Sequence, residues 1–371
     1  MSKAILMFTG DILCYPEMTD GTNEDYSRLF REIERPSDCD FLVGNLETPV
    51  AGKELLYTHE LYCFNTPDSF VGTLKNFGFD LVSLANNHCM DRNEQGIERT
   101  LENCRKYGMD TVGLYTSPED RNQIYIREIN GIKVAFISYT YGTNAFAHRL
   151  FLKRPYMVNL LQPEETLKGS IHLLESAEDI AARVDEIYGK KGEEYQLAKP
   201  YLEQLQNDIK CAKESADYVV MLLHCGGQYN PLPDAYTKYV ARQIKEYGAD
   251  IIVGLHPHII QPCDTSDGYM TAYCLGNLIC PEDKCLPSEV DPSYSAVLRL
   301  ALEKDESGKI TAKTGFSLYK TVTEDGLPII YDTYDLCSAC GDEKLIKDCI
   351  HYANLFAGDE KYSEIQKVYT I

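Results

Sequence analysis

The chain has 371 residues, 44% hydrophobic and 25% charged, and its 57 acidic and 36 basic side chains leave a formal net charge of −21. This describes a globular chain that can bury a large core, with a surface acidic enough to repel nucleic acid and anionic lipid. No apolar run approaches the roughly 18 residues of a membrane span. The run Ala4-Ile5-Leu6-Met7-Phe8 is too short for a secretory signal, and 14 scattered cysteines then read as reduced thiols of a cytoplasmic protein, not as a disulfide framework.

In chain order, a buried strand is predicted over residues 4–9, running into Gly10-Asp11. A second, over 40–43, runs into Gly44-Asn45-Leu46-Glu47. Thr66-Pro67-Asp68 opens a helix with Phe70, Leu74 and Phe77 on one face. A strand over 81–85 leads into Asn86-Asn87-His88, and Ile97, Leu101 and Cys104 mark a helix stopped near Gly108. Residues 124–129 and 132–139 flank Asn130-Gly131, the signature of a hairpin. The strand exit Tyr141-Gly142-Thr143-Asn144 either lines a pocket or simply leaves the sheet.

Residues 145–200 are polar and helix-prone, and read as a helical insert. Leu202, Leu205, Ile209, Ala212 and Ala216 then step by three and four, as on an amphipathic helix. A strand over 218–223 ends at His224. A helix follows through Tyr236, Val240 and Ile244 to Gly248, and a strand over 251–253 runs into Gly254-Leu255-His256-Pro257-His258. Strands alternating with helices predict an α/β fold, and the hairpin makes the sheet mixed. The main domain is expected over 1–280. A C-terminal extension over 281–371 should pack on it, with a hairpin (294–302 and 310–318, turning at Ser307-Gly308) followed by helices.

Five polar clusters thus stand at strand carboxyl ends, where open α/β sheets place their ligands. Any one alone is ordinary turn chemistry. Together they supply carboxylates, imidazoles and amide carbonyls, a mixture suited to one or two divalent ions of Mn, Fe or Zn. No Walker-type phosphate loop or Gly-x-Ser-x-Gly elbow is present. Cys225, beside His224, reads as a small apolar side chain on a strand end. Cys337-x-x-Cys340 has zinc-like spacing, but Cys349-x-His351 does not, since residues two apart on a helix diverge. His59, His148, His172 and His351 read as surface or loop residues.

The order Gly10-Asp11, Asn45-Leu46-Glu47, Asn86-Asn87-His88-x-x-Asp91, His224-x-Gly226-x-x-Tyr229 and Gly254-x-His256-Pro257-His258 resembles the CapA family of bacterial capsule and poly-γ-glutamate biosynthesis proteins. Tyr273-x-Leu275-Gly276-Asn277 is similar to a later signature of that family. The resemblance implies a fold related to the calcineurin-like metallophosphatases, a two-sheet sandwich flanked by helices. It also implies Asp11, Glu47, Asn87, His224, His256 and His258 as metal ligands, Glu47 being the bridging carboxylate. His88 would then be the acid that protonates a leaving group, with Asp91 orienting it or touching substrate. Asn45, Asn86, Gln228, Tyr229 and Asn277, in or beside the same motifs, are candidate substrate contacts.

Three features depart from the pattern. Leu13 replaces a phosphatase histidine, Cys225 and Gln228 replace the family's usual Trp and Glu, and the family's frequent membrane anchor has no counterpart in the apolar runs. The implied activity is hydrolysis of a phosphoester or a glutamyl amide, on an anionic polymer or a phosphoester substrate. The alternative is a non-catalytic polymer-binding or partner protein with a degenerate metal site.

Overall fold

The computed structural model describes residues 2–22, 24–58, 62–164, 176–281, 284 and 288–371, so His59 and His172 lie outside the described residues. Among them, two sheets stack face to face. The nine-stranded sheet contains β1 (Ser2–Ile12), β2 (Phe41–Leu46), β3 (Leu81–Ser83) and β4 (Asp110–Val112). The five-stranded sheet contains β5 (Tyr125–Ile129), β6 (Ile132–Thr140), β7 (Tyr218–His224), β8 (Ile251–Leu255) and β9 (Met270–Ala272), in that order. The first sheet is completed by β10 (Asn277–Ile279), β11 (Tyr294–Lys304), β12 (Ile310–Glu324), β13 (Leu327–Asp332) and β14 (Tyr369–Thr370). Its main order is β13-β12-β11-β1-β2-β3-β4, with β10 also on β1 and β14 on β12.

Both sheets are mixed: β1 to β4 run parallel while β11 pairs antiparallel with β1, and the β5–β6 hairpin leads into parallel β7, β8 and β9. The period of two along each strand explains the stacking. On β1, Ala4, Leu6 and Phe8 face the core between the sheets, while Ile5 and Met7 face an outer core. On β7, Val220 and Leu222 point inward and Val219, Met221 and Leu223 outward. Strands buried on both faces carry continuous apolar runs, as their sequences do.

Helices cover the outer faces. Ser69–Phe77 and Asn93–Lys106 place Phe70, Val71, Leu74, Ile97, Leu101 and Cys104 on the first sheet. Glu193–Ser215 and Ala235–Tyr247 do the same for the second with Leu202, Leu205, Ile209, Tyr236, Val240 and Ile244. The C-terminal helices Thr333–Cys340 and Glu343–Ala357 bury Cys337, Cys349, Tyr352 and Phe356 against the inner face of the longer sheet, with Phe356 edge-on to Phe316 at 4.7 Å. This is the two-sheet, helix-flanked α/β sandwich of the metallophosphatase type.

The described parts of the insert are helical at Ala145–His148, Ala177–Val184 and the start of Glu193–Ser215, whereas the stretch before residue 165 is mostly irregular, with Val158 bridging Leu114 and Leu160 bridging Thr140. The C-terminal hairpin is longer than predicted and gains a third strand, β13, before its helices begin. Among the described residues no helix is long and apolar enough to cross a membrane. Among the described residues no cysteine is joined to another in a disulfide.

Candidate metal centre

Register assembles the site before any side chain is considered. Asp11 on β1 lies opposite Asn45 on β2 and Asn277 on β10. In the other sheet His224 lies opposite Thr140 and Leu255, one residue before His256. Two glycines make this approach possible. A Cβ at Gly10 would lie 2.0 Å from the Gly276 carbonyl oxygen, and a Cβ at Gly254 would lie 1.9 Å from that of Tyr273. Neither contact is sterically allowed, so each residue preceding the site must lack a side chain.

The His256-Pro257-His258 turn holds both histidines at positive φ, 97° and 61°. Such conformations cost an L-residue free energy and persist where surrounding contacts impose them. Here the His256 N–H donates to Asp11 Oδ2 at 3.0 Å, joining the sheets, and Asn277 takes His258 at both ends. The Asn277 amide donates to the His258 carbonyl at 3.0 Å, and its Oδ1 lies 2.9 Å from His258 Nδ1.

The expected ligands converge. Asp11, Glu47 and His224 offer ligand atoms within 4.8 Å of one another, as do Glu47, His256 and His258, and all five are buried. Glu47 belongs to both groups: its Oε1 lies 3.5 Å from His224 Nε2 and 3.7 Å from His258 Nε2. Asp11 Oδ2 lies 3.3 Å from His258 Nδ1. Asn87, the sixth, meets His224 Nε2 through its Oδ1 at 2.8 Å and donates to Asn144 Oδ1 at 3.3 Å.

The donor set fits a divalent ion on two counts. Both carboxylate oxygens of Glu47 are buried without a hydrogen-bond partner among the described residues, an arrangement costly for a lone charge and natural for a cation ligand. Burial, then the nearby Asp11 and Asp91 carboxylates, pushes the Glu47 carboxyl well above its usual range. Burial, with His256, His258 and His88 adding to it, holds His224 well below the usual imidazole range, and so neutral and able to donate a lone pair.

His88 sits beside this cluster and is held differently. Its Nδ1 lies 2.8 Å from Asp91 Oδ2, its backbone N–H donates to Asn86 Oδ1 at 3.1 Å, and Phe64 packs edge-on at 4.6 Å. With Nδ1–H given to Asp91, Nε2 is the ring atom left to exchange a proton. The other amides are bonded within the protein: Asn45 donates to Asp11 Oδ1 at 2.8 Å and Asn86 to the Leu46 carbonyl at 2.9 Å. Tyr229, at φ 59°, places its half-buried ring 5.7 Å from His258, and Gln228 beside it is also half-buried.

Leu13 is buried in the outer apolar core, where it offers no ligand. The Cys225 thiol, pushed up by burial, rests 3.8 Å from Thr237 Oγ1 in the core of the second sheet. Cys337 and Cys349 bring their sulfurs to 3.7 Å, but Cys340 and His351 are exposed and the four do not converge. Two further features bear on the centre, the first left open by the sequence and the second missed. The Tyr141 ring lies 4.7 Å from that of His256 and Asn144 bonds Asn87, so this strand exit does line the site. His148, expected at a surface or loop position, comes to 3.8 Å from the buried Asp91. The one sequence signal for either is the polar stretch that follows β6.

Comparison with known proteins gives the chain a family. The family model described as "Bacterial capsule synthesis protein PGA_cap" matches residues 5–282. The chain is 27% identical over 311 residues to "PGA biosynthesis protein CapA" of Bacillus subtilis (strain 168), covering 81% of this chain and 68% of that protein. It is 25% identical over 284 residues to "Capsule biosynthesis protein CapA" of Bacillus anthracis, covering 75% and 60%. An uncharacterized protein, y4sH, of Sinorhizobium fredii (strain NBRC 101917 / NGR234) is 22% identical over 311 residues, 73% of this chain and 65% of its own. The chain therefore spans roughly two thirds of the relatives it matches, and the match takes in every motif that builds the centre: it belongs to the bacterial capsule synthesis family, that of the CapA proteins.

Proposed function

We propose that the chain is a divalent-metal-dependent hydrolase of a phosphoester or a glutamyl amide bond, related to capsule or poly-γ-glutamate metabolism. The observation that carries this is Glu47, a buried carboxylate without hydrogen-bond partners among the described residues, set between Asp11 and three histidines. Asp11, Glu47, Asn87, His224, His256 and His258 would hold one or two ions of Mn, Fe or Zn, with Glu47 shared between them. When bound, such a cation supplies Lewis acidity and stabilises negative charge developing at the scissile group.

The protein's own residues do the rest. Asn45 and Asn277 orient Asp11 and His258, and Asn86 ties the turn after β3 to β2. His88, oriented by Asp91, delivers a proton from Nε2 to the leaving group. Tyr229 and Gln228, half-buried beside His258, contact the substrate. With a net charge of −21 the surface repels an anionic polymer, so binding falls to the cationic centre. The setting is a reducing, cytoplasmic one, in which buried cysteines such as Cys104, Cys225 and Cys349 stay as thiols.

A second reading has one specific observation behind it. Leu13 stands in the apolar core where the phosphatase pattern has a ligand, which favours a non-catalytic polymer-binding protein with a degenerate site. Elemental analysis of protein purified without chelator, then a screen of phosphoesters and poly-γ-glutamate with added Mn, separates the two. Turnover that tracks metal content supports the hydrolase. Bound metal with no turnover on either class supports the binding protein.

A further inference from the structure

Beside Asp91 a second group of ligand-type atoms converges. The Cys63 sulfur, a carboxylate oxygen of Asp91 and a ring nitrogen of His148 all lie within 4.8 Å of one another. None of the three belongs to the six residues of the first centre. Asp91 divides its carboxylate between two tasks. Oδ2 faces His88 Nδ1 at 2.8 Å and accepts from the Phe64 N–H at 2.6 Å. Oδ1 has no hydrogen-bond partner among the described residues, although the side chain is fully buried. His148 Nε2, at 3.8 Å from Oδ1, is beyond hydrogen-bonding distance and at a separation a cation can span. A buried carboxylate oxygen in this state is costly unless something positive approaches it.

The surroundings suit a metal. Cys63 is half-buried, accepts from Arg92 Nη1 at 2.9 Å and lies 3.6 Å from the Asp91 carbonyl oxygen, so its sulfur is held beside Asp91. His148 ends the short helix Ala145–His148 and keeps 20% of its side chain exposed, leaving a path in from solvent. Asn144, which precedes that helix in the left-handed region at φ 55°, bonds Asn87 and so fixes His148 relative to the first centre.

We propose that Cys63, Asp91 and His148 form a second metal site, of zinc type. Thiolate, imidazole and carboxylate together select zinc-like ions over Mn, Mg or Ca. Three protein ligands leave a fourth, open position. Asp91 then serves the cation through Oδ1 and the His88 ring through Oδ2, the carboxylate–histidine pairing that fixes ring tautomer and orientation around metals. The site needs nothing from the reading of the first centre, and its test is independent of activity.

The test is a cobalt(II) titration of the full chain stripped of metal, followed by absorption. The first centre offers only oxygen and nitrogen, so a near-ultraviolet thiolate-to-cobalt charge-transfer band reports a cysteine ligand. The wild type should develop that band. Glu47→Ala should keep it. Cys63→Ser should abolish it while the metal content of the first centre stays unchanged. His148→Ala, at a partly exposed helix end where loss of the fold is not expected, should weaken the cobalt titration by on the order of 10- to 100-fold. Absence of the band in folded wild type overturns the proposal. So does a band that survives Cys63→Ser and disappears with Cys337→Ser, which would place the thiolate site among the C-terminal helices.

Discussion

Asp91 Oδ2 and His88 Nδ1 face each other at 2.8 Å, both side chains buried, so the imidazole cannot turn without breaking that contact. His88→Ala should therefore keep the metal of the first centre and cut turnover by roughly 10²–10⁴-fold, the range for losing a positioned general acid. Metal stoichiometry and turnover on the same preparation decide this. If the variant loses stability and keeps proportionate activity, Asn86-Asn87-His88 is a structural turn and no more.

Glu47→Ala should behave oppositely. It removes the carboxylate common to both ligand groups, so metal content and melting temperature should fall together, because bound metal stabilises the fold by mass action. Adding chelator to the wild type should reproduce the drop in melting temperature. Full metal retention in Glu47→Ala, alongside metal loss in His88→Ala, would show that the two roles are exchanged.

Metal uptake should also release a proton. The Glu47 carboxyl is raised, chiefly by burial, so the metal-free protein keeps a proton there to higher pH than an ordinary carboxyl does, while burial holds His224 low and favours its neutral form. Calorimetric titration in buffers of different ionisation enthalpy, run over a series of pH values, should show proton release that grows as pH falls, and affinity should weaken in the same direction. For the stripped protein the signs differ. Glu47's contribution to stability is present below its ordinary value of 4.5 and is lost as pH rises through its raised one. The contribution of His224 is present above 6.5 and is lost as pH falls through its depressed value. Metal should thus restore stability most on the alkaline side. Binding without proton release would remove Glu47 from the ligand set.

Gly10→Ala should destabilise the fold by about 1–3 kcal/mol or more, because its new methyl meets the Gly276 carbonyl oxygen head-on. Metal content should fall as well, since Asp11 is the next residue. Gly192→Ala, which meets nothing within 4 Å, should stay within about 0.5 kcal/mol of wild type. Equal melting temperatures for the two variants would contradict the close approach of β1 to the chain before β10.

Thiol titration of denatured, chelator-treated protein should find nearly all 14 cysteines reactive. Several stable disulfides in native material would overturn the cytoplasmic assignment.

What could be read in advance follows from physical length and periodicity. The strands β1, β2, β7 and β8 are apolar on both faces, so their runs and the polar residues that end them stand out in the sequence. Asp11, Glu47, His224, His256 and His258 were legible for that reason. The short strands β4, β9 and β10 span three residues each, too few for a period to register. β13 is announced only by the Asp325-Gly326 turn before Leu327. Cys63 and His148 sit in loop and insert, follow no strand end, and converge beside Asp91. Nothing local in the chain links them; only the folded backbone does.

The pairing of Asp11 with Asn277 has a kinetic consequence. β1 carries the first ligand, yet it finds β10 and β11 only after most of the chain has been traversed. Pairings of such long sequence separation form slowly, and the centre exists only once both sheets have met across the His256–Asp11 hydrogen bond. A cation has no preformed site to enter in a half-organised chain, so it cannot seed the structure. It should leave the refolding rate almost unchanged and slow the escape from the native state, acting as a latch that closes last and must open first.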